Sequence, residues 1–337
     1  MKKPFGTLPT GEAASLYTIS CGKLTATLTD FGACLVSLWV PDKDGNLADV
    51  VLGYDDVSGY ATGEAFFGAP VGRNANRIKG ASFSIGDKAY SLPANENGNS
   101  LHSGPDFFNK RMWEVLSADE RSITFRLLSP DGDQGFPGNA DIRVRYTMDA
   151  DRLRIAYDAV CDKDTVFNFT NHSFFNLAGH DQPEKAFLQT LCIPGRFFTP
   201  ADAESIPTGE ERSVEGTPMD FRVPKTIAQD ADADYEPLHL QCGYDHNFEV
   251  FCNPCAILRD PESGRTLSVC TDLPGIQFYA ANYTNEIGKG GVVLKPHCGI
   301  ALETQCFPDA IHHPEWKQPV CKAGEKYHSE TQYLLSW

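Results

Sequence analysis

The strongest constraint in this sequence is its rhythm. Short runs of alternating apolar and polar residues recur along the chain, each closed by a turn signal, and no sustained 3.6-residue period interrupts them. Within residues 23–28, Leu24, Ala26 and Leu28 fall on one face. Residues 33–40 are rich in β-formers and run into the turn Asp42-Lys43-Asp44-Gly45-Asn46. Residues 123–127 alternate. Ile142, Val144, Tyr146 and Met148 then share a face, Asp149-Ala150-Asp151 turns the chain, and Leu153, Ile155 and Tyr157 alternate again, which predicts a hairpin. Residues 255–258 and 266–270 form another pair, joined by Pro261-Glu262-Ser263-Gly264. Many short strands without strand–helix alternation predict an all-β fold, an antiparallel sandwich or barrel, and the length favours one large antiparallel β-sandwich. No repeat, low-complexity tract or composition shift divides the 337 residues, so a single domain over 1–337 is expected.

Charge narrows the partners. Lys plus Arg total 29 and Asp plus Glu total 45, a formal net charge of −16. Such a chain repels phosphate backbones and anionic lipid, so neither nucleic acid nor a membrane surface is an expected partner. A substrate with several phosphates is disfavoured more weakly. No apolar run approaches the ~18 residues of a membrane span, and no apolar stretch follows Lys2-Lys3 as a signal peptide requires. Eleven cysteines at no framework spacing suggest reduced thiols and a cytoplasmic location. Cys252-Asn253-Pro254-Cys255 lacks a second pair at zinc spacing and reads as two ordinary thiols near a turn. Asp131-Gly132-Asp133-Gln134-Gly135 shares only its composition with a calcium loop and reads as a turn. His312-His313 reads as a surface loop pair, and the acidic residues 230–236 as a solvated loop.

Six segments break the strand pattern with polar groups. Gly72-Arg73-Asn74-Ala75-Asn76-Arg77-Ile78 is too polar for a core strand. It is a solvated loop, or a clamp whose guanidinium and amide groups bond hydroxyl or carboxylate oxygens. Asn99-Ser100-Leu101-His102-Ser103-Gly104 places a histidine in a turn. Asn168-Phe169-Thr170-Asn171-His172-Ser173-Phe174-Phe175-Asn176-Leu177 interleaves amides and a histidine with aromatics. That mixture suits a hexose, whose CH faces stack while its hydroxyls are bonded, and equally a core strand with a satisfied histidine. Gly243-Tyr244-Asp245-His246-Asn247-Phe248 offers a carboxylate to a diol or to a salt-bridged turn. Leu273-Pro274-Gly275-Ile276-Gln277-Phe278-Tyr279 holds one amide among apolar neighbours. In Gly299-Ile300-Ala301-Leu302-Glu303-Thr304-Gln305-Cys306-Phe307-Pro308-Asp309, Glu303 follows an apolar run. Burial there would raise its pKa and favour proton transfer near neutral pH.

Taken in order, these segments, with Ile206-Pro207-Thr208-Gly209-Glu210, resemble the aldose 1-epimerase (galactose mutarotase) family from about residue 24 to the C-terminus. The resemblance implies a large antiparallel β-sandwich with a sugar in an open cleft on one sheet. It implies His172 as general acid and Glu303 as general base. It further implies substrate contacts at Asn76, Arg77, His102, Ser173, Phe174, Asp245 and Gln277. Phe174 departs from the pattern, standing where many members have Tyr; a backbone contact would survive this and a hydroxyl contact would not. No metal or organic cofactor is expected, and the partner is a small-molecule monosaccharide bound to a monomer or homodimer.

The chemistry leads to the same roles. Opening a cyclic hemiacetal needs a base for the anomeric proton and an acid for the ring oxygen as the C1–O5 bond breaks. Glu303 ionised and His172 protonated would form that pair, and the nearby carboxylate is expected to keep the imidazolium charged at neutral pH. His102 would help by polarising the ring oxygen. Two other functions fit less well. A hexose-6-phosphate mutarotase needs several cations around the 6-position, whereas this chain is acidic and keeps Asp245 at the diol position. A non-catalytic sugar-binding module needs no acid–base pair.

Overall fold

The alternation read from the sequence forms the walls of one core. The computed structural model describes residues 2–337 and builds three main antiparallel sheets. In the nine-stranded sheet, Ala140–Met148 pairs with Arg152–Cys161, with Tyr146 opposite Ile155, as the predicted hairpin requires. Ile142, Val144, Tyr146, Met148, Leu153, Ile155 and Tyr157 are all buried. Lys326–Ser336 brings the end of the chain into the same sheet, between Arg152–Cys161 and Thr266–Thr271. Ala256–Arg259 pairs with Thr266–Thr271 as expected.

The six-stranded sheet orders Phe174–Phe175, Ile300–Gln305, Gly275–Tyr279, Asp245–Glu249, Phe197–Thr199 and Arg212–Ser213. Successive side chains point to opposite faces. Phe175, Phe248, Ile276, Phe278, Ile300 and Leu302 join the core shared with the nine-stranded sheet, and Phe175 packs edge-on to Tyr333 at 5.0 Å. Each such side chain contributes about 1.5–3 kcal/mol by leaving water. This is the antiparallel β-sandwich the sequence predicts. The five-stranded meander of residues 2–49 packs on the nine-stranded sheet, where the Tyr146 hydroxyl donates to the Ala33 carbonyl at 2.9 Å. The α-helices, Val57–Thr62 and Glu236–Leu240, are short. Among the described residues, no helix is long and apolar enough to cross a membrane.

The minor readings resolve locally. Residues 131–135 form a turn; Asp131 pairs with Lys163, and Asp133 pairs with Arg111. All eleven cysteines are free, Cys252 exposed and Cys255 buried. In the acidic loop, Asp230 pairs with Lys225 at 2.6 Å. His312 is exposed, as the surface reading expects, and His313 is half-buried. Both rings dock on buried Asp309, at 2.7 and 3.9 Å, and Trp316 packs on His313.

Candidate active site

Period two also builds the site. The face of the six-stranded sheet turned away from the core carries Asp245 and Asn247, Gln277 and Tyr279, and Glu303 and Gln305 in adjacent rows. Asp245 lies opposite Tyr279, and Gln277 lies between Asn247 and Glu303. The Gln277 side-chain amide donates to Asp245 Oδ1 at 2.7 Å, and the Gln305 side-chain amide donates to Gln277 Oε1 at 3.1 Å. Gly275 makes room for this layer: a Cβ there would stand 2.4 Å from Asn247 Oδ1 and 2.8 Å from the Phe307 ring.

Two further strand pairs supply the walls. Thr170–His172 pairs with Ala69–Val71 and delivers His172. Gly68, at φ +66°, lets its backbone take the His172 carbonyl at 3.1 Å; a Cβ there would sit 2.0 Å from the Leu35 carbonyl oxygen. Arg77–Ile78 pairs with Ser100–Leu101, so Asn76 and His102 meet beyond the ends of these strands. They interlock. The His102 N–H donates to the Asn76 carbonyl at 3.0 Å, and the Asn76 N–H donates to His102 Nδ1 at 3.1 Å. Both residues hold left-handed backbone, φ +60° and +53°, which these reciprocal bonds stabilise.

The result is a cleft of about 560 Å³ lined by Asn76, Arg77, His102, His172, Phe174, Asp245 and Glu303, together with Phe66, Glu96, Tyr279 and Tyr283. His172 Nε2 stands 3.6 Å from Glu303 Oε1. The two residues are 6% and 3% exposed, and His172 Nδ1 and Glu303 Oε2 have no partner. Buried polar atoms without a partner are costly, and a purely structural role does not explain these two. Phe66 stacks on His172 at 5.7 Å, and Phe174 tilts against it at 5.0 Å.

Burial dominates the electrostatics. It lowers the His172 pKa to about 4 and pushes the Glu303 carboxyl well above its usual range, where Asp245 adds to the rise and Arg77 opposes it. The expectation of a standing imidazolium–carboxylate pair is therefore corrected: burial works against both charges and favours a neutral imidazole beside a neutral carboxyl. The proton inventory is unchanged. Neutral pair and ion pair are two placements of one shared proton. Burial also holds His102 neutral, helped by repulsion from the Arg77 guanidinium. Its Nδ1 accepts the Asn76 N–H, so the neutral ring carries its proton on Nε2. His102, His172 and Glu303 offer atoms within 4.8 Å of one another. This tautomer makes His102 a hydrogen-bond donor rather than a metal ligand, so the trio does not fit a resident cation.

Not every predicted contact reaches the cleft. Ser173 is turned away, its hydroxyl donating to Asn171 Oδ1 at 2.6 Å. Gln277 does not line the cleft; its amide is turned to Asp245. Arg73, read with Arg77 as part of a clamp, faces the opposite direction and holds the 129–138 loop. Asn171 and Asn176 bond neighbouring backbone. Sequence reasoning missed Tyr279, which period two from Gln277 places on the site face. It also missed Phe66 and Glu96, for which no local signal exists.

Comparison with known proteins follows the geometry. The aldose 1-epimerase family model matches residues 15–334. The chain is 38% identical to the galactose mutarotase of Mus musculus over 98% of this chain and 97% of that one. It is 39% identical to the aldose 1-epimerase of Haemophilus influenzae over 90% of each. Among solved structures, the GalM/aldose epimerase homologue from C. elegans superposes with a TM-score of 0.89 at 32% identity, covering 96% of this chain and 99% of that one. Galactose 1-epimerase from Lactobacillus acidophilus superposes with a TM-score of 0.87 at 26% identity, covering 100% and 98%.

Proposed function

The chain belongs to the aldose 1-epimerase family, an enzyme family that interconverts sugar anomers, and from that premise we propose that His172 and Glu303 carry the proton transfers. The observation that supports this most directly is an unpartnered imidazole and carboxyl 3.6 Å apart in a cleft of hexose size. With the shared proton on His172, Glu303 takes the anomeric proton from O1 while His172 protonates O5 and the C1–O5 bond breaks. The aldehyde turns about C1–C2, O5 attacks its other face, and both protons return. His102 Nε2–H donates to the ring oxygen as charge develops there. Asn76, Arg77 and Asp245 bind hydroxyls, Gln277 orients Asp245, and the Phe174 ring packs beside the sugar. Ser173 is assigned its backbone only.

The substrates are free aldohexoses such as D-galactose and D-glucose. A 6-phosphate finds no ready partner: the Arg77 fork is occupied by Glu96, and Glu64, Asp245 and Glu286 share the walls. We read the protein as one sandwich domain, cytoplasmic, and a monomer or homodimer.

Optical rotation of freshly dissolved α-D-galactose and α-D-glucose tests the activity; no acceleration by folded protein on either sugar overturns it. The pH profile tests the assignment. Below about pH 4 a second proton lands on His172 and the pair has no base. Well above the usual carboxylate range the shared proton is lost and the pair has no acid. The acid limb of the catalysed rate should therefore lie well below 6.5, toward pH 4. An acid limb near 6.5, the ordinary histidine value, would count against burial as the controlling factor.

A further inference from the structure

Arg77 has a partner that the reaction does not use. Glu96 grips its guanidinium side-on, with Nε at 2.5 Å from Oε2 and Nη2 at 3.0 Å from Oε1. We propose that Glu96 is a positioning residue: it holds Arg77 against the cleft wall and keeps the guanidinium from pairing with Glu303 or Asp245. The inference rests on reading the cleft as the sugar site.

The loop that bears Glu96 is built to hold it. The Glu96 N–H donates to the Asn99 carbonyl at 3.2 Å, and the Asn99 N–H returns a bond to the Glu96 carbonyl at 2.7 Å. The Asn99 side chain takes the Gly80 N–H at 2.9 Å and donates to Glu204. Asn95 bonds both the N–H and the carbonyl of Leu101, at 2.8 and 3.0 Å. One braced segment thus presents both Glu96 and His102. This gives Asn99, part of the Asn-Ser-Leu-His motif, a task outside the cleft.

The chemistry makes Glu96 necessary. A guanidinium next to several carboxylates forms its fork with whichever one geometry allows. Arg77 shares the cleft with Asp245 and Glu303. A fork on Glu303 would hold that base ionised and occupied; a fork on Asp245 would remove a hydroxyl acceptor. With Glu96 in the fork, the charge of Arg77 is compensated, and its pull on the Glu303 proton is weakened. The groups facing Glu303 are Asp245, Arg77, His172, His102 and Tyr279 within the cleft, and Tyr333 from the sandwich core. The histidines and tyrosines are held neutral by burial, so Arg77 and Asp245 are the charges that act.

The test titrates Glu303 directly in the full chain, by the carboxyl infrared band that Glu303→Gln removes. In Glu96→Gln, Arg77 loses its counter-charge and the Glu303 midpoint should fall by about one pH unit, a tenfold change in proton affinity. In Glu96→Asp the charge remains but the reach shortens. The midpoint should hold while KM for galactose rises about tenfold or more, with a smaller change in kcat. An unchanged midpoint in Glu96→Gln overturns the proposal. So does a wild-type KM in both variants. The titration needs no turnover, so a failure of the sugar reading would show separately, as a wild type whose Glu303 shifts with Glu96 but which does not accelerate mutarotation.

Discussion

Glu303→Gln should slow mutarotation of α-D-galactose by at least about a hundredfold in kcat, and His172→Asn should do the same. Each substitution keeps the size of the side chain and removes one proton carrier. The two act as a pair on one bond, so the double variant should lose little more than either single one. Polarimetry on all three, with circular dichroism to confirm folding, checks this. A Glu303→Gln protein with wild-type turnover would remove the carboxyl from the mechanism.

The same variant carries a stability signature. Burial raises the Glu303 pKa in the folded chain above the ordinary 4.5 of the unfolded one. As pH rises past that value the unfolded state loses its proton first, so the wild type loses stability until the folded carboxyl also titrates. Gln cannot titrate. The denaturation midpoint of Glu303→Gln minus that of wild type should therefore be larger at pH 8 than at pH 5. An active-site carboxyl kept at a cost in stability behaves this way; a satisfied structural one does not.

Arg73→Met should be the most damaging substitution for stability. The guanidinium is 1% exposed. It donates to the carbonyls of Ser129, Pro130, Pro137 and Gly138 and to the hydroxyls of Ser129 and Thr165, at 2.8 to 3.3 Å. Methionine fills the space and leaves those acceptors buried and open. Removing one partner from such a network costs about 3–5 kcal/mol. Urea denaturation should show a lower midpoint at similar slope. Arg77→Met, four residues on, should cost much less stability and raise KM. If the two arginines lost stability equally, the division of labour drawn between them would fall.

That pair shows what was legible and what was not. Gly72 to Ile78 announces two arginines and two amides, and nothing local says which guanidinium meets solvent. Alternation could be read directly: it placed Ile142 to Met148 in the core, and it puts Glu303 on the opposite face from Leu302. The motif order identified the family, since seven short matches in sequence survive any uncertainty about their contacts. By itself, then, the sequence determined the sandwich, the family and seven of the residues that line the cleft, because strand faces follow from a two-residue backbone repeat and motifs are carried in the chain. Only the tertiary structure decided that Arg73 braces a loop while Arg77 faces the cleft, that Ser173 and Gln277 stay out of the cleft, and that Glu96 occupies the Arg77 fork. It also decided that the site favours the neutral forms of His172 and Glu303, because a pKa depends on burial and on charges summed over segments that are neighbours only once the sheets have closed.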